Sequence, residues 1–332
     1  MSINILPTKI QIGNFSIEEN STGLVFTGAI RSSSSLESTL TYQGTVSGYT
    51  AGGWDSLYTN TIDKFPFSSD AHATDAGDLS AGRSSLRGHS SATNGYAVGG
   101  EPGYSTIIDK FPFANTNGAL DVGDLRRTLK IFTSQNSATH GYMSGGETGG
   151  PPYLIVNSVD RFPFAIDSFS SFVSNLTNPS YQGAGQSSTT SGYVSGAYVP
   201  GPTSTAKIEK FPFSNSNAAT TVGDLSQARG GGAGQSSTVS GYTSGGGFPF
   251  KNRIDKFPFA TDASATNVGN LTKERGGGGG QSSTASGYTT GGTYMPGVWV
   301  NIIDKFPFSS DSAASDVGDL TQKRTSTSGQ QD

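Results

Sequence analysis

Gly241-Tyr-Thr-Ser-Gly-Gly246, Ile254-Asp-Lys-Phe-Pro-Phe259 and Asn267-Val-Gly-Asn-Leu271 follow one another in the chain, and the same three phrases recur along most of its 332 residues. Phe-Pro-Phe behind an acidic–basic pair begins at Phe65, Phe111, Phe162, Phe211, Phe257 and Phe306, at intervals of 46, 51, 49, 46 and 49 residues. Gly-Tyr keeps step at Tyr49, Tyr96, Tyr142, Tyr193, Tyr242 and Tyr288. Val/Ala-Gly-Asp/Asn-Leu ends at Leu79, Leu125, Leu225, Leu271 and Leu320, with a degenerate copy at Leu176. One further Phe-Pro-Phe, at Phe248, is out of phase and lacks the charged pair. A repeat of this length signals a propeller or a solenoid, and a residue shared by every copy is architecture before it is chemistry.

Each copy breaks into four short pieces bounded by Gly, Asn, Ser or Pro, which reads as four strands joined by turns. In residues 226–271 these are Gly234–Ser240, Gly241–Gly246, Ile254–Phe259 and Asn267–Leu271. The first two hold small residues, as expected where blades crowd an axis. The third carries bulky side chains that fill the gap further out. Its proline donates no ladder hydrogen bond and belongs at a bulge or a strand end. The first innermost strand is expected to start near Gln43, and the chain stops at about the same phase of the repeat; 288 residues over six copies give 48 each. The expected fold is therefore all-β: a six-bladed propeller of four antiparallel strands per blade over residues 43–332, preceded by an N-terminal β-hairpin and linker over residues 1–42.

Composition agrees. The 47 glycines and 14% charged residues suit strands and tight turns better than helices. The net charge of −4 leaves no general basic field for nucleic acid. Without cysteine there are no disulfides, thiolate metal sites or cysteine nucleophiles. Residues 1–11 lack the pattern of a signal peptide. No apolar run approaches the about 20 residues that cross a bilayer.

The order Arg…Ser-Ser, Gly-Tyr-x-x-Gly-Gly, Ile-Asp-Lys-Phe, x-Val-Gly-Asp-Leu resembles the kelch repeat, with Gly95–Gly100 and Gly141–Gly146 carrying the aromatic and double glycine intact. It departs from that repeat in having no tryptophan in the fourth strand and in Gly196-Ala197, where the double glycine is broken. The Phe-Pro-Phe variety is similar to kelch-like proteins predicted in tailed phages of marine bacteria. That resemblance implies a virion protein on the particle surface, in a tail fibre, baseplate or capsid.

In residues 1–42, Lys9–Ile17 and Gly23–Phe26 are the strand candidates, with a bulge at Gly13-Asn14 where the alternation slips. The hairpin either attaches the chain to other virion proteins or packs on the propeller rim. Arg31–Ser35 reads as a flexible linker.

Catalytic signatures are missing. The histidines His72, His89 and His140 have no metal-ligand spacing, Arg275–Gln281 lacks the closing residues of a phosphate loop, and no cofactor is expected. The acids Asp63, Asp109, Asp160, Glu209, Asp255 and Asp304 recur in every blade, each before a Lys or Arg, and read as structural pairs. A hydrolase would need a carboxylate pair singled out in one blade. What differs between copies is the connection between second and third strands, which holds Trp54, Tyr58, Tyr104, Tyr153, Tyr198, Phe248, Phe250, Tyr294 and Trp299. In a meander it emerges on the same face as the links between blades, which hold Arg83, Arg87, Arg126, Arg127, Arg229 and Arg275.

The expected function is a non-enzymatic binding module. One face recognises host surface glycan or protein through Trp54, Tyr58, Tyr104, Tyr153, Tyr198, Phe248, Tyr294, Trp299, Arg83, Arg87, Arg229 and Arg275. Single aromatics have a competing role as caps on the blade ends, and the arginines as braces between blades. The alternative function is a decoration protein that only packs against other particle proteins, with self-association left open.

Overall fold

The computed structural model describes residues 9–12, 15–20, 23–27, 43–115, 117–149, 153–201 and 203–332. The chain forms two compact units, Met1–Thr39 and Leu40–Asp332. Every regular element among the described residues is a strand.

In the first unit Lys9–Ile12, Phe15–Asn20 and Gly23–Thr27 form a three-stranded antiparallel sheet in that order. The expected single bulged strand over residues 9–17 is corrected: Lys9 pairs with Glu18 and Ile12 with Phe15, so its two halves lie side by side. Gly-Asn between alternating segments is a two-residue hairpin signal, and that accounts for the slip in alternation. The expected linker at 31–35 lies outside the described residues.

The second unit is a six-bladed β-propeller, each blade a four-stranded antiparallel meander. Blade 5 shows the plan, from the axis outward: Ala233–Ser236, Ser240–Ser244, Arg253–Pro258 and Thr266–Asn270. Blade 2 runs from strand Arg87–Ser90 to strand Leu120–Asp124, and blade 3 from Thr133–Asn136 to Ser171–Asn175. Blade 4 runs from Ala184–Ser187 to Thr220–Asp224, and blade 6 from Gly279–Ser282 to Ser315–Asp319. Blade 1 is composite. Ser47–Trp54, Tyr58–Pro66 and Thr74–Asp78 receive their innermost strand, Ser328–Gln331, from the other end of the propeller sequence.

The expected innermost strand near Gln43 is thus corrected. Gln43 Nε2 and Gly44 N instead donate to Ser283 O and Ser282 O of blade 6. Asp332 N donates to Ser47 O at 2.9 Å, closing across two chain segments the turn that Ser237 and Ser240 close within blade 5. The ring is sealed by ladder hydrogen bonds.

The repeated phrases interlock from blade to blade. Tyr193 of blade 4 packs on Phe257 and Phe259 of blade 5, Tyr242 on Phe306 and Phe308 of blade 6, and Tyr288 on Phe65 and Phe67 of blade 1. Such ring pairs add about 0.5–1.5 kcal/mol each beyond the area they bury. The glycine before each tyrosine is obligatory for space: a Cβ at Gly241 would enter the ring of Phe257. Each Phe-Pro-Phe proline ends the third strand, where its missing N–H leaves no gap in the ladder.

At the axis a second lock appears. Gln186 Nε2 donates to Tyr242 O of the next blade at 2.8 Å, and Gln135, Gln235, Gln281 and Gln330 do the same for Tyr193, Tyr288, Tyr49 and Tyr96. Blade 2 carries His89 in that place. It is buried, it contacts Gln135 O and Asn136 Oδ1, and burial pushes its pKa down to about 4.

Candidate binding site

Six links between blades converge on the axis, and their backbones form a closed cycle. Ser85 N donates to Ser326 O, Ser326 N to Gly277 O, Gly277 N to Gly231 O, Gly231 N to Gln182 O, Gln182 N to Ile131 O, and Ile131 N to Ser85 O. All six residues are left-handed, with φ of 57°, 56°, 71°, 71°, 54° and 48° in that order. A left-handed non-glycine residue costs about 1–2 kcal/mol, and a β-branched one such as Ile131 is a true outlier. The cycle repays this by satisfying each N–H and C=O with its neighbour, as buried backbone requires.

Inside the cycle lies a funnel of about 310 Å³. Its floor is the ring Gly88, Ser134, Gly185, Gly234, Gly280 and Gly329, shared with a smaller cavity of about 50 Å³ beneath. The glycines are there because the innermost strands touch: a Cβ at Gly185 would strike Ser134 O, and one at Gly234 would strike Gly185 O. The funnel wall is mostly glycine, Ser and Thr, with Tyr198 and Phe250 beside them.

Among the described lining residues one is charged, Arg87, at the start of the innermost strand of blade 2. Among the described residues it has no ion-pair partner. Its Nη1 donates to Leu86 O at 2.9 Å, and burial pushes its pKa down to about 10, so it stays cationic at neutral pH. An unpaired guanidinium in a partly desolvated hole favours an anion.

Around the funnel stand the variable connections, on the same face as the sequence anticipates. Backbone bonds tie each to a link: Trp54 to Thr325, Glu101 to Ser84, Glu147 to Lys130, Tyr198 to Tyr181, Gly247 to Gly230 and Thr293 to Gly276. Their aromatics meet in local pairs instead of one platform. Trp54 sits edge-on to Tyr58 at 4.7 Å, Tyr104 stacks on Tyr153 at 5.8 Å, and Phe248 meets Phe250 at 6.0 Å. Lys130 lies over Tyr104 and Lys273 over Tyr294, at 4.4 and 5.2 Å. Trp299 pairs with Thr293 in a two-residue ladder. Phe248 and Tyr153 are well exposed, at 73% and 62%.

The arginines divide. Arg83, Arg229 and Arg275, expected on the binding face, are each 1% exposed and unable to meet a ligand at the surface. They pair with Asp109, Asp255 and Asp304 at 2.6, 2.9 and 2.7 Å, and Arg324 pairs with Asp63 at 2.9 Å. Each also donates to strand carbonyls, as Arg275 does to Thr289 O and Gly291 O. The brace reading therefore describes these four, and Arg87 alone reaches the funnel.

The recurrent acids are structural in most blades, but their partner differs from the expected one. Consecutive strand residues face opposite sides of a sheet, so the lysine after each acid points away from it. Lys110, Lys210, Lys256 and Lys305 reach Asp167, Asp262, Asp311 and Asp70 of the following blade instead. In blade 3 Leu129 stands at the arginine position, and Arg126 Nε supplies the bond to Asp160 at 2.8 Å. In blade 4 Ser180 stands there, the acid is Glu209, and among the described residues Glu209 has no ion-pair partner. The axial glutamines and the left-handed cycle were not among the expected features. The signal of the glutamines was the Gly-Gln or Ser-Gln step in five innermost strands.

No group of acids, histidines or cysteines that could hold a metal occurs among the described residues. No helix among them is long and apolar enough to cross a membrane. No family model and no curated protein sequence matches this chain. Among solved structures it is similar to one described as "Structure of YjhT", at 13% identity and a TM-score of 0.63, covering 80% of this chain and 96% of that one. At that identity the likeness speaks for the propeller fold alone.

Proposed function

We propose that this protein is a non-enzymatic binding module that takes an acidic group of a host surface glycan into the axial funnel. The observation that carries the reading is Arg87, a cation that has no acidic partner among the described residues and stands among small, neutral walls. Tyr198 and Phe250, on the funnel wall at blades 4 and 5, suit the apolar face of a sugar ring, and the outer aromatic pairs widen the contact. The repeat type is kelch-like and the setting is the surface of a tailed-phage particle, with residues 1–42 attaching the chain to other virion proteins. The first rests on the resemblance of the Gly-Tyr-x-x-Gly-Gly order to the kelch repeat, the second on that of the Phe-Pro-Phe variety to phage proteins. Detection of the chain among the proteins of purified particles tests the setting.

A second reading, a decoration protein packed against other particle proteins, draws support from exposed apolar side chains on blades 2 and 3. Leu120, Ile166, Phe169 and Phe172 are 71%, 64%, 69% and 52% exposed. The two readings separate in one experiment. Purified protein is applied to arrays of uronate, sialylated, sulfated and neutral glycans beside Arg87→Gln and Trp54→Ala/Trp299→Ala variants. Retention of acidic glycans, weakened about 10-fold or more by Arg87→Gln, is expected for a charged hydrogen bond. Equal retention by Arg87→Gln would overturn the funnel as the site.

A further inference from the structure

Blade 4 keeps a binding place whose occupant four other blades supply themselves. In blade 6 the Arg275 guanidinium lies between the Asp304 carboxylate, Thr289 O and Gly291 O. In blade 5 Arg229 bonds Asp255 and Thr243 O in the same manner. The corresponding groups of blade 4 are Glu209, Val194 and Gly196, and the residue in the arginine position is Ser180. All four border one cavity of about 660 Å³.

The acid there is one methylene longer than its counterparts and lines the cavity. Thr177 N donates to one of its oxygens at 3.1 Å, as Thr272 N does to Asp304. The charged neighbour is Lys207, which also lines the cavity. Its side chain is half exposed and its ammonium lies 4.0 Å from Asp224, so it does not take the arginine's place. Burial pushes the Glu209 pKa up to about 7, against the opposing pull of the Thr177 bond and Lys207. A cation arriving in the cavity would restore the charge balance that the other acids already have.

The cavity opens beside Val199, Pro200 and Thr203, where the second and third strands of this blade run on to Val199 and from Thr203. Ala197 stands here in place of the second glycine and pairs with Thr205 in the extended hairpin. Blade 4 thus combines three features at one place: no arginine, a longer acid and an extended hairpin at the mouth.

We propose that the blade 4 cavity binds a guanidinium group from outside the chain, held by Glu209 with the carbonyls of Val194 and Gly196. The site is separate from the axial funnel and stands whether or not the funnel takes an acidic glycan. Its chemistry fits either a free guanidino compound or an arginine side chain of a partner.

Calorimetry at about pH 8, where Glu209 is ionised, tests it with agmatine, 1,5-diaminopentane and the peptide Gly-Arg-Gly. Agmatine is expected to bind at least about tenfold more tightly than the diamine, because planar bidentate geometry selects guanidinium over ammonium. Glu209→Gln is expected to lose agmatine by about tenfold or more, and Ser180→Arg/Glu209→Asp, which rebuilds the blade 5 arrangement, to lose it entirely. Arg87→Gln is expected to leave agmatine binding unchanged, which separates this site from the funnel. Peptide binding as tight as agmatine supports a partner's arginine, and exclusion of the peptide supports a free guanidino molecule. Undiminished agmatine binding by Glu209→Gln or by the refilled variant would overturn the proposal. So would absence of heat with wild-type protein at about 10 mM agmatine.

Discussion

Blades 4 and 6 are built from the same repeat, yet one is filled and the other is open. In blade 6 Arg275 and Asp304 bury opposite charges at 2.7 Å between the strands. In blade 4 Ser180 and Glu209 leave an acid facing a cavity. The difference shows how a repeat protein acquires a site. Four blades fill the position with an arginine and blade 3 with Leu129, and the small Ser180 of blade 4 leaves the facing groups open.

The comparison can be broken by mutation. Arg275→Ala strands Asp304 in a dry interior, and removing one member of a buried pair costs about 3–5 kcal/mol. The urea midpoint of the variant is expected to fall accordingly. A change under about 1 kcal/mol would mean that the filled blades do not depend on their arginines.

Glu209→Gln is expected to act in the opposite direction. The folded pKa of about 7 lies above the ordinary glutamate value, so the group contributes stability below that ordinary value which is lost as pH rises through about 7. The variant should therefore be more stable than wild type at about pH 8, by up to about 3 kcal/mol, and equal to it near pH 4. Equal stability at both pH values would show that the Glu209 cavity is as wet as the surface.

The smallest effect at neutral pH belongs to His89→Gln, which restores the axial amide in blade 2. A gain of about 1 kcal/mol is expected from one hydrogen bond. The folded pKa of about 4 is depressed, so wild type loses stability as pH falls from the ordinary histidine value through about 4. Urea titrations of the two proteins across that window should diverge. Parallel curves would mean that His89 does not titrate with unfolding.

Much of this was legible in the residues. The Phe-Pro-Phe and Gly-Tyr phrases recur because each tyrosine must meet the phenylalanines of the next blade, so their period counts the blades directly. The N-terminal sheet was read one strand short because Gly-Asn signals both a bulge and a turn, and local alternation cannot choose between them. The candidate site was legible only in part. Arg87, Arg229 and Arg275 look alike in the chain, all of them arginines in the links between blades. Arg229 and Arg275 turn inward to an acid 26 and 29 residues later, and Arg87 turns to the axis.

By itself, then, the sequence determined the number of blades, their four-stranded plan and the layering of small residues inside bulky ones. These follow from short-range periodicity and from volume, which any one repeat displays. The tertiary structure alone decided which arginines are braces, that six left-handed residues close a backbone cycle, and that blade 4 is hollow. Each of those depends on groups far apart in the chain meeting at one point, and on whether a charge there finds its counter-charge.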